Sequence, residues 1–255
     1  MQIEKKVAVV TGAASGLGAA CAQGLINKGA RVAIFDTNIE SGQALAANMG
    51  AMAMFCCTDV VDPASVQEAL DKVAGHFGNV SVLINCAGIA PAEKVYGKKG
   101  PMNIDGFSRA VAINLTGTIN VIRLSVHQML TNEKNTDGEC GVIINTASIA
   151  AFEGQVGQAA YSASKAGVVG LTLPLAREFA GQGIRVMTVA PGLFETPMLA
   201  GLGPAVNEAL ARTVPMPQRL GRAAEFAALA IHIIENAMLN GETIRLDGAL
   251  RMGAR

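Results

Sequence analysis

Tyr161 and Lys165 have the residue types and the spacing that proton transfer needs. They stand four positions apart in Tyr-Ser-Ala-Ser-Lys, which places a phenol and an ammonium group on one face of a helix. A positive charge near a phenol favours the phenolate and lowers the phenol pKa, as a general acid–base requires. The same spacing also occurs in ordinary pairs of surface side chains, so the pattern needs a third group.

Ser148 is that third group. It directly follows the apolar run at residues 142–147, which predicts a buried strand. Ligands of doubly wound α/β sheets bind beyond the carboxyl ends of such strands. We therefore expect Ser148 to face the same site as Tyr161, although a lone serine in this position is also typical of a turn or a cap.

A glycine-rich turn supplies a candidate binding site for a dinucleotide. Gly12, Gly16 and Gly18 stand in Thr-Gly-Ala-Ala-Ser-Gly-Leu-Gly (11–18), between a predicted strand at 7–11 and a predicted helix at 13–28. Glycines there let a pyrophosphate approach the helix N-terminus, where backbone N–H groups and the helix dipole favour negative charge. Glycines that only permit a tight turn and close helix packing are the alternative.

Asp36 indicates which dinucleotide would bind. It follows the second predicted strand (31–35) and stands eighteen positions after Gly18, close to the spacing at which an acidic residue reaches the adenosine ribose. A carboxylate accepts hydrogen bonds from the ribose hydroxyls and repels a 2′-phosphate, so we expect NAD rather than NADP. An aspartate that caps the helix starting near Asn38 is the alternative.

The elements that must position these residues alternate along the chain, short β-branched runs with longer helical patterns. The alternation predicts an α/β Rossmann fold, with a doubly wound sheet of seven parallel strands in a single domain over residues 1–255. Predicted strands lie at 7–11, 31–35, 52–57, 80–85, 142–147, 183–190 and 242–246. Two long stretches, 91–106 and 197–221, interrupt the alternation and are candidate functional loops.

Taken together, the motifs resemble those of the short-chain dehydrogenase/reductase family over essentially the entire chain. They are, in order, Thr-Gly-x-x-x-Gly-x-Gly (11–18), Asn-Cys-Ala-Gly (85–88), Asn114, Ser148, Tyr-x-x-x-Lys (161–165) and Pro-Gly (191–192). The runs at 142–161, 191–197 and 240–248 are more particular, and resemble the type 2 3-hydroxyacyl-CoA dehydrogenases, a branch that also acts on hydroxysteroids. The family's common Asn-Asn-Ala-Gly is Asn-Cys-Ala-Gly here, which leaves the side-chain role of Cys86 open.

The resemblance implies a role for each motif residue. Tyr161 would be the acid–base, Ser148 would bond the substrate oxygen, and Lys165 would lower the Tyr161 pKa and hold the nicotinamide ribose. Asn114 would anchor a water of the proton relay, although the residue alone suggests only a local backbone bond. Asp59 and Val60 would lie at the adenine, and Thr196 at the carboxamide. The expected cofactor-binding residues are Gly12, Ser15, Gly16, Leu17, Gly18, Asp36, Asp59, Val60, Cys86, Ala87, Gly88, Tyr161, Lys165, Pro191, Gly192, Phe194 and Thr196.

The composition limits the kinds of partner. Twenty basic and twenty acidic residues cancel, which argues against a nucleic-acid surface and favours a small-molecule substrate. Five cysteines without a C-x-x-C motif indicate reduced thiols and a cytoplasmic location. The three histidines form no metal-ligand motif, so we expect no metal. We also expect no membrane span, because no stretch is apolar for long enough.

Both long loops suggest a substrate region. The second carries apolar residues that suit an acyl chain or a sterol, with an amphipathic helix packed on the core as the alternative: Met198, Leu199, Leu202, Val206, Leu210, Val214 and Met216. In the first loop, Lys98 and Lys99 suit the phosphates of coenzyme A, or simply a solvated loop tip.

The helix after Gln158 suggests a packing surface. Its small residues permit close approach of another helix, either from a partner subunit or from the chain's own fold: Ala159, Ala160, Ala163, Ala166, Gly167 and Gly170. Pro174 removes a backbone donor and should kink this helix. The family resemblance implies a homotetramer.

The resemblance implies an NAD-dependent enzyme that interconverts 3-hydroxyacyl-CoA and 3-oxoacyl-CoA, with hydroxysteroids as a further substrate class. Another short-chain reductase, such as a 3-oxoacyl-carrier-protein reductase, is the nearest alternative. Asp36 weighs against it, because such reductases usually prefer NADPH. A protein that senses NAD without turnover is a second alternative, and the complete set of Ser148, Tyr161 and Lys165 argues against that one.

Overall fold

The computed structural model describes residues 1–98, 100–201 and 203–254 of the chain, without the side chains of Met198 and Ala200. Strands and helices alternate over most of this length. The strands are β1 Val7–Thr11, β2 Arg31–Asp36, β3 Ala53–Cys57, β4 Val82–Asn85, β5 Tyr96–Gly97, β6 Gly100–Pro101, β7 Gly141–Thr146, β8 Ile184–Pro191 and β9 Thr243–Leu246. The α-helices are α1 Gly16–Asn27, α2 Ile39–Met49, α3 Pro63–Phe77, α4 Ile104–Val111, α5 Gly117–Met129, α6 Ala159–Ala180, α7 Pro197–Ala200, α8 Pro204–Ala211 and α9 Ala223–Glu235.

Seven strands form one parallel sheet in the order β3-β2-β1-β4-β7-β8-β9. The chain moves outward from β1 through β2 to β3, then returns to the other side of β1 and continues outward to β9. This reversal between β1 and β4 is the topological switch point of a doubly wound fold. The predicted fold class is therefore confirmed.

Helices cover both faces of the sheet, so its strands are apolar on both sides. Every residue of β1, β4 and β8 is buried. Along β1, Val7 and Val9 face the core that contains residues of α3 and α5, while Ala8 and Val10 face the core that contains residues of α1 and α9. The alternation follows from successive side chains of a strand pointing to opposite faces.

Each of the seven predicted strands is present, with bounds that differ from the prediction by at most two residues. The antiparallel β5–β6 pair was not predicted from the sequence, and nor was the π-helical turn Ala112–Thr116 that joins α4 to α5. Helix α6 continues through Pro174 to Ala180. The second long loop contains α7 and α8, and no residue of α8 is buried. The prediction of an amphipathic helix packed on the core is thus wrong for α8.

Candidate active site

A cavity of about 910 Å³ opens at the switch point between β1 and β4, beyond the carboxyl ends of the strands. Its volume lies in the usual range for a cofactor or small-molecule site. Asn114 does not line the cavity, but all the other residues predicted for the site do. These are Gly12, Ser15, Gly16, Leu17, Gly18, Asp36, Asp59, Val60, Cys86, Ala87, Gly88, Ser148, Tyr161, Lys165, Pro191, Gly192, Phe194 and Thr196.

The glycine-rich turn packs tightly against the segment that follows β4. A Cβ atom on Gly12 would lie 2.7 Å from the backbone N and Cα of Ala87, and Gly12 adopts a φ of +61°, which favours glycine. A Cβ atom on Gly18 would lie 2.4 Å from the Gly12 carbonyl oxygen. The turn therefore requires glycine at both positions for close backbone approach.

Thr11 fastens the same two segments and was not predicted to have a role beyond its place in the motif. Its Oγ1 accepts hydrogen bonds from the backbone N–H of Cys86 at 3.1 Å and of Ala87 at 3.2 Å. The residue is buried at the end of β1, where the strand reaches the cavity. The sequence signal for this role is its position at the end of a predicted buried strand, since a buried hydroxyl needs a hydrogen-bond partner.

The N-terminus of α1 faces the cavity. Ser15 is its N-cap in an extended conformation and makes no side-chain capping bond, and the first turn contains no acidic residue. The backbone N–H groups of this turn have no partner within the helix and carry its positive dipole end. This donor set fits a pyrophosphate group.

Asp36 stands at the end of β2 and turns its carboxylate toward the glycine-rich turn. Its Oδ2 accepts a hydrogen bond from the Ala14 N–H at 3.0 Å, and its Oδ1 accepts one from the Asn38 N–H at 2.9 Å. Asn38 is the N-cap of α2, and its own side chain accepts from Ser41 N–H at 3.0 Å. The alternative in which Asp36 caps this helix is therefore wrong, and the carboxylate is held at the cavity wall by both bonds.

Asp59 and Val60 lie after β3, on the same side of the cavity. The Asp59 Oδ1 accepts from Val61 N–H at 2.9 Å, which shapes the turn, and the side chain is exposed. The Val60 carbonyl oxygen accepts from Asn120 Nδ2 at 2.9 Å. Together with Asp36 these residues form an end of the cavity that contains carboxylates and apolar surface, which fits an adenosine.

Ser148 and Tyr161 meet on the other side of the switch point. The Ser148 side chain caps the short 3₁₀ helix Ile149–Ala151 by accepting from Ala150 N–H at 3.1 Å, so the prediction of a cap also holds. Burial raises the pKa of the Tyr161 hydroxyl, and the nearby Ser148 hydroxyl partly opposes that increase. The two hydroxyl groups thus converge, although they come from different elements.

Lys165 is buried one turn further along α6. Its Nζ donates to the Thr146 carbonyl oxygen at 2.8 Å and lies 5.9 Å from the centroid of the Tyr161 ring. Burial lowers the pKa of Lys165 to about 8, against a smaller upward effect of Cys86. A Cβ on Gly88 would lie 3.3 Å from Nζ, which shows how closely the backbone after β4 approaches this ammonium group.

Asn114 is buried in the π-helical turn and bonds across the structure. Its Oδ1 accepts from Ile89 N–H at 2.8 Å, while its Nδ2 donates to Ile89 O at 2.9 Å and to Ser164 Oγ at 2.9 Å. The local backbone bond that the residue alone suggested is therefore not what its side chain makes. Asn114 fastens the segment after β4 to α6, the helix of Tyr161 and Lys165.

The cavity wall continues from the end of β8 into the next segment, with Pro191 as the last residue of the strand and Gly192, Phe194 and Thr196 after it. The Phe194 ring is buried and packs edge-on against Phe226 at a centroid distance of 6.4 Å. Thr196 is the N-cap of α7 and makes no side-chain capping bond. The same segment therefore presents a hydroxyl to the cavity and anchors itself in the core.

Several lining residues were not predicted from the sequence. Most are apolar: Ile89, Ala90, Ala92, Arg109, Ile149, Ala150, Gln158, Leu193 and Met252. Nothing in their local sequence marks them, because they reach the cavity through long-range packing. Leu199, from the predicted apolar set of the second loop, also lines the cavity.

The other predicted loop residues whose side chains the structure describes do not line the cavity. Val206 and Met216 are exposed, and Val214 is buried beside Ile149 and Leu250. Lys98 is exposed in the β5–β6 turn and does not line the cavity, as expected for a solvated loop tip. Lys99, Leu202 and the side chain of Met198 lie outside what the structure describes.

In the described part of the chain, no group of histidine, cysteine and acidic residues is arranged to hold a metal ion. Within the same residues, no helix has both the length and the hydropathy to span a bilayer. All five cysteines are free thiols.

Comparison with known proteins relates this geometry to a family. The family model for short chain dehydrogenases matches residues 6–207. The human protein named 3-hydroxyacyl-CoA dehydrogenase type-2 is 55% identical over 248 residues, which are 96% of this chain and 95% of that protein. A 3-oxoacyl-[acyl-carrier-protein] reductase of Salmonella typhimurium is 35% identical over 254 residues, 99% of this chain and 100% of that protein.

A solved structure gives the same result in three dimensions. The crystal structure of a 3-hydroxyacyl-CoA dehydrogenase type-2 from Mycobacterium avium has a TM-score of 0.95 at 39% identity and covers 100% of this chain and 99% of its own. The sheet order, the cavity at the switch point and these similarities agree. This chain belongs to the short chain dehydrogenase family.

Proposed function

We propose that this protein is an NAD-dependent dehydrogenase that interconverts 3-hydroxyacyl-CoA and 3-oxoacyl-CoA. The observation that carries the proposal is the convergence of the Ser148 and Tyr161 hydroxyls beside the buried Lys165, in a cavity whose far end contains Asp36. The higher identity to the human type-2 dehydrogenase than to the bacterial reductase supports the acyl-CoA substrate.

NAD, when bound, supplies the hydride acceptor. The open N-terminus of α1 would hold its pyrophosphate, and Asp36 would accept from the adenosine ribose and repel a 2′-phosphate. Asp59 and Val60 would contact the adenine, Lys165 the nicotinamide ribose and Thr196 the carboxamide. These assignments rest on the fit of the donors and acceptors described above and on the family resemblance.

The chain's own groups move the proton. In the direction of oxidation, the Tyr161 phenolate takes the proton of the substrate hydroxyl, and Ser148 donates a hydrogen bond to the same substrate oxygen. Reduction reverses the proton transfer. Lys165 favours the phenolate through its positive charge, in opposition to the burial that raises the Tyr161 pKa. After oxidation Tyr161 must release this proton to solvent, and in reduction it must regain one. Asn114 would anchor a water of that relay, in a turn that its side chain holds in place.

Assembly and location complete the proposal. A homotetramer is supported by an exposed stripe of small residues on α6, made up of Ala159, Ala163, Ala166 and Gly170. Gly167 does not belong to this stripe, because a Cβ there would lie 2.6 Å from Leu115 of the same chain. The five free thiols support a cytoplasmic location.

Initial rates with three substrates and both cofactors test the proposal. We expect acetoacetyl-CoA with NADH to be the best pair, ahead of an acyl-carrier-protein thioester and a hydroxysteroid. Tyr161→Phe should abolish turnover and leave NAD affinity nearly unchanged, since only the proton-transferring hydroxyl is lost. Preference for the carrier-protein thioester with NADPH would favour the reductase alternative. NAD binding without turnover of any substrate would favour the sensor.

A further inference from the structure

The C-terminal tail, defined here as residues 250–254, packs against the connection between Ser148 and Tyr161. The Val156 N–H donates to the Ala254 carbonyl oxygen at 3.0 Å, and Gln155 Nε2 donates to the Gly253 carbonyl oxygen at 3.2 Å. The tail follows β9, at the opposite end of the sheet from β3 and Asp59. It therefore lies near the proton-transfer groups, away from the proposed adenosine end.

A charged clamp holds the tail in this position. The Arg245 guanidinium of β9 donates to both carboxylate oxygens of Glu153 at 2.9 Å, and its Nε donates to Asp247 Oδ2 at 2.7 Å. Its Nη2 also donates to the Leu250 carbonyl oxygen at 3.1 Å, and the group lies 5.2 Å from the centroid of the Phe152 ring. Such a bidentate, partly buried pair defines geometry far better than an exposed pair does.

A second arginine completes the clamp from within the tail. Arg251 Nη1 donates to Asp247 Oδ2 at 3.1 Å, and its Nε lies 3.4 Å from Glu153 Oε1. Glu153 and Asp247 thus each meet two guanidinium groups. The two arginines therefore connect β9 and the tail to the segment after Ser148.

The clamp places Met252 at the wall of the cavity. Met252 is partly buried, lines the cavity, and packs against the apolar cluster of Ile149, Val214 and Leu250. Ile149 immediately follows Ser148, so Met252 lines the cavity on the side of the proton-transfer groups. A flexible unbranched side chain in such a wall fills space that a longer apolar substrate would need.

We propose that Met252 is a specificity-determining residue that limits the acyl-chain length accepted by the cavity, and that Arg245 is the positioning residue that holds it there. The inference rests on the proposed function, because it concerns the acyl end of that same substrate. It accounts for the clamp, which has no part in proton transfer or in cofactor binding.

Chain-length profiles test the proposal. NADH formation would be measured with 3-hydroxyacyl-CoA substrates of four, six and eight carbons, and with 2-alkanols of the same lengths, which contain no coenzyme A. We expect Met252→Ala to raise kcat/KM for the eight-carbon substrate relative to the four-carbon one by roughly tenfold, the usual scale of discrimination in apolar pockets. Met252→Phe should change the ratio in the opposite direction. Arg245→Gln should change this ratio in the same direction as Met252→Ala. It should change kcat/KM for the four-carbon substrate less than kcat/KM for the eight-carbon substrate.

Met238→Ala is the matched control, because this methionine is 90% exposed and does not line the cavity. Its profile should equal that of the parent. A length ratio that is unchanged in both Met252 variants, or equal losses with every substrate, would overturn the assignment of Met252. A ratio that shifts with the alkanols while no thioester is oxidised would overturn the proposed acyl-CoA substrate and leave Met252 as the wall residue.

Discussion

Lys165 combines burial with charge. Its side chain is 4% exposed, its ammonium bonds the Thr146 carbonyl oxygen, and its pKa falls to about 8 because burial penalises the charged form. A residue selected only for stability would not be an ionisable one in this place. We therefore expect the buried ammonium group to lower the free energy of unfolding by a measurable amount, although the proposed activity requires it.

We expect Lys165→Met to stabilise the protein at pH 7 and to abolish activity. Between the folded pKa of about 8 and the ordinary value of 10.5, the unfolded chain binds more protons at this lysine than the folded chain does. The contribution of Lys165 to the parent's free energy of unfolding should therefore become more favourable as the pH rises from 8 to 10. The stability difference between Lys165→Met and the parent should become smaller over the same range. Urea unfolding at pH 7 and pH 10 measures this.

The difference between parent and variant is the relevant quantity, because Cys86 and Tyr161 also titrate near Lys165. Lys94→Met, at an exposed lysine of the first long loop, is the control for the removal of a surface ammonium group. A stability difference that stays constant from pH 7 to pH 10 would contradict the lowered pKa.

Asp36 can be tested by its charge. Asp36→Ala should weaken NAD binding by roughly ten- to a hundredfold, the usual effect of losing hydrogen bonds to a charged group. It should also increase the affinity for NADP relative to that for NAD. Dissociation constants for both nucleotides measure this. Asp62→Ala is the control, since it removes an aspartate whose Oδ1 accepts from Ala64 N–H at 2.9 Å outside the cavity. If the two variants have the same ratio of NAD to NADP affinity, Asp36 only shapes the turn and does not select the cofactor.

At the scale of the elements, the glycine-rich turn is a rigid contact between the end of β1 and the start of α1. Gly18→Ala should lower NAD affinity by at least about tenfold and cost about 1–3 kcal/mol of stability, because its Cβ would lie 2.4 Å from the Gly12 carbonyl oxygen. Calorimetric titration and thermal unfolding measure both effects.

Gly75→Ala provides the matched control. Gly75 is an exposed position within α3, and a Cβ there would meet no atom within 4 Å. Alanine should stabilise this helix by about 1 kcal/mol through its helix propensity and leave NAD affinity unchanged. If both variants bind NAD as the parent does, the turn is more adaptable than its geometry indicates.

The elements that could be predicted from the sequence are those with local signals. The strands were predicted because β-branched runs are visible in a few residues, and the glycines and Asp36 because their spacing follows from one β-α-β unit. The π-helical turn at Asn114 has no such signal, since its bonds reach Ile89, 25 positions away. The clamp between Glu153 and Arg245 joins residues 92 positions apart. Only folding brings such partners together.

For the whole molecule, helix α6 matters because it connects the site to the outside. Tyr161 and Lys165 face the cavity, while the exposed stripe of Ala159, Ala163, Ala166 and Gly170 lies on the same helix. We expect this stripe to be an interface of the proposed homotetramer, because small side chains permit close helix contact. The catalytic helix would then be held on two sides.

Ala166→Glu should reduce the mass of the assembly, since it puts a charge into a close helix contact. Light scattering after size-exclusion chromatography measures the mass, and circular dichroism checks that the subunit stays folded. Ala44→Glu, an equally exposed alanine on α2, is the control and should leave the mass unchanged. A variant at position 166 that keeps the parent's mass would place the interface elsewhere.

The cavity is lined by residues from Gly12 to Met252, which come from both sides of the switch point. A ligand that fits it therefore binds the folded chain and not the unfolded one, and at a hundredfold its dissociation constant it adds about 2.7 kcal/mol to the free energy of unfolding. Melting temperature should rise with NAD concentration, and less with NADP. In a cell, the dinucleotide supply would then govern how long each enzyme molecule survives proteolysis, as well as how fast it works.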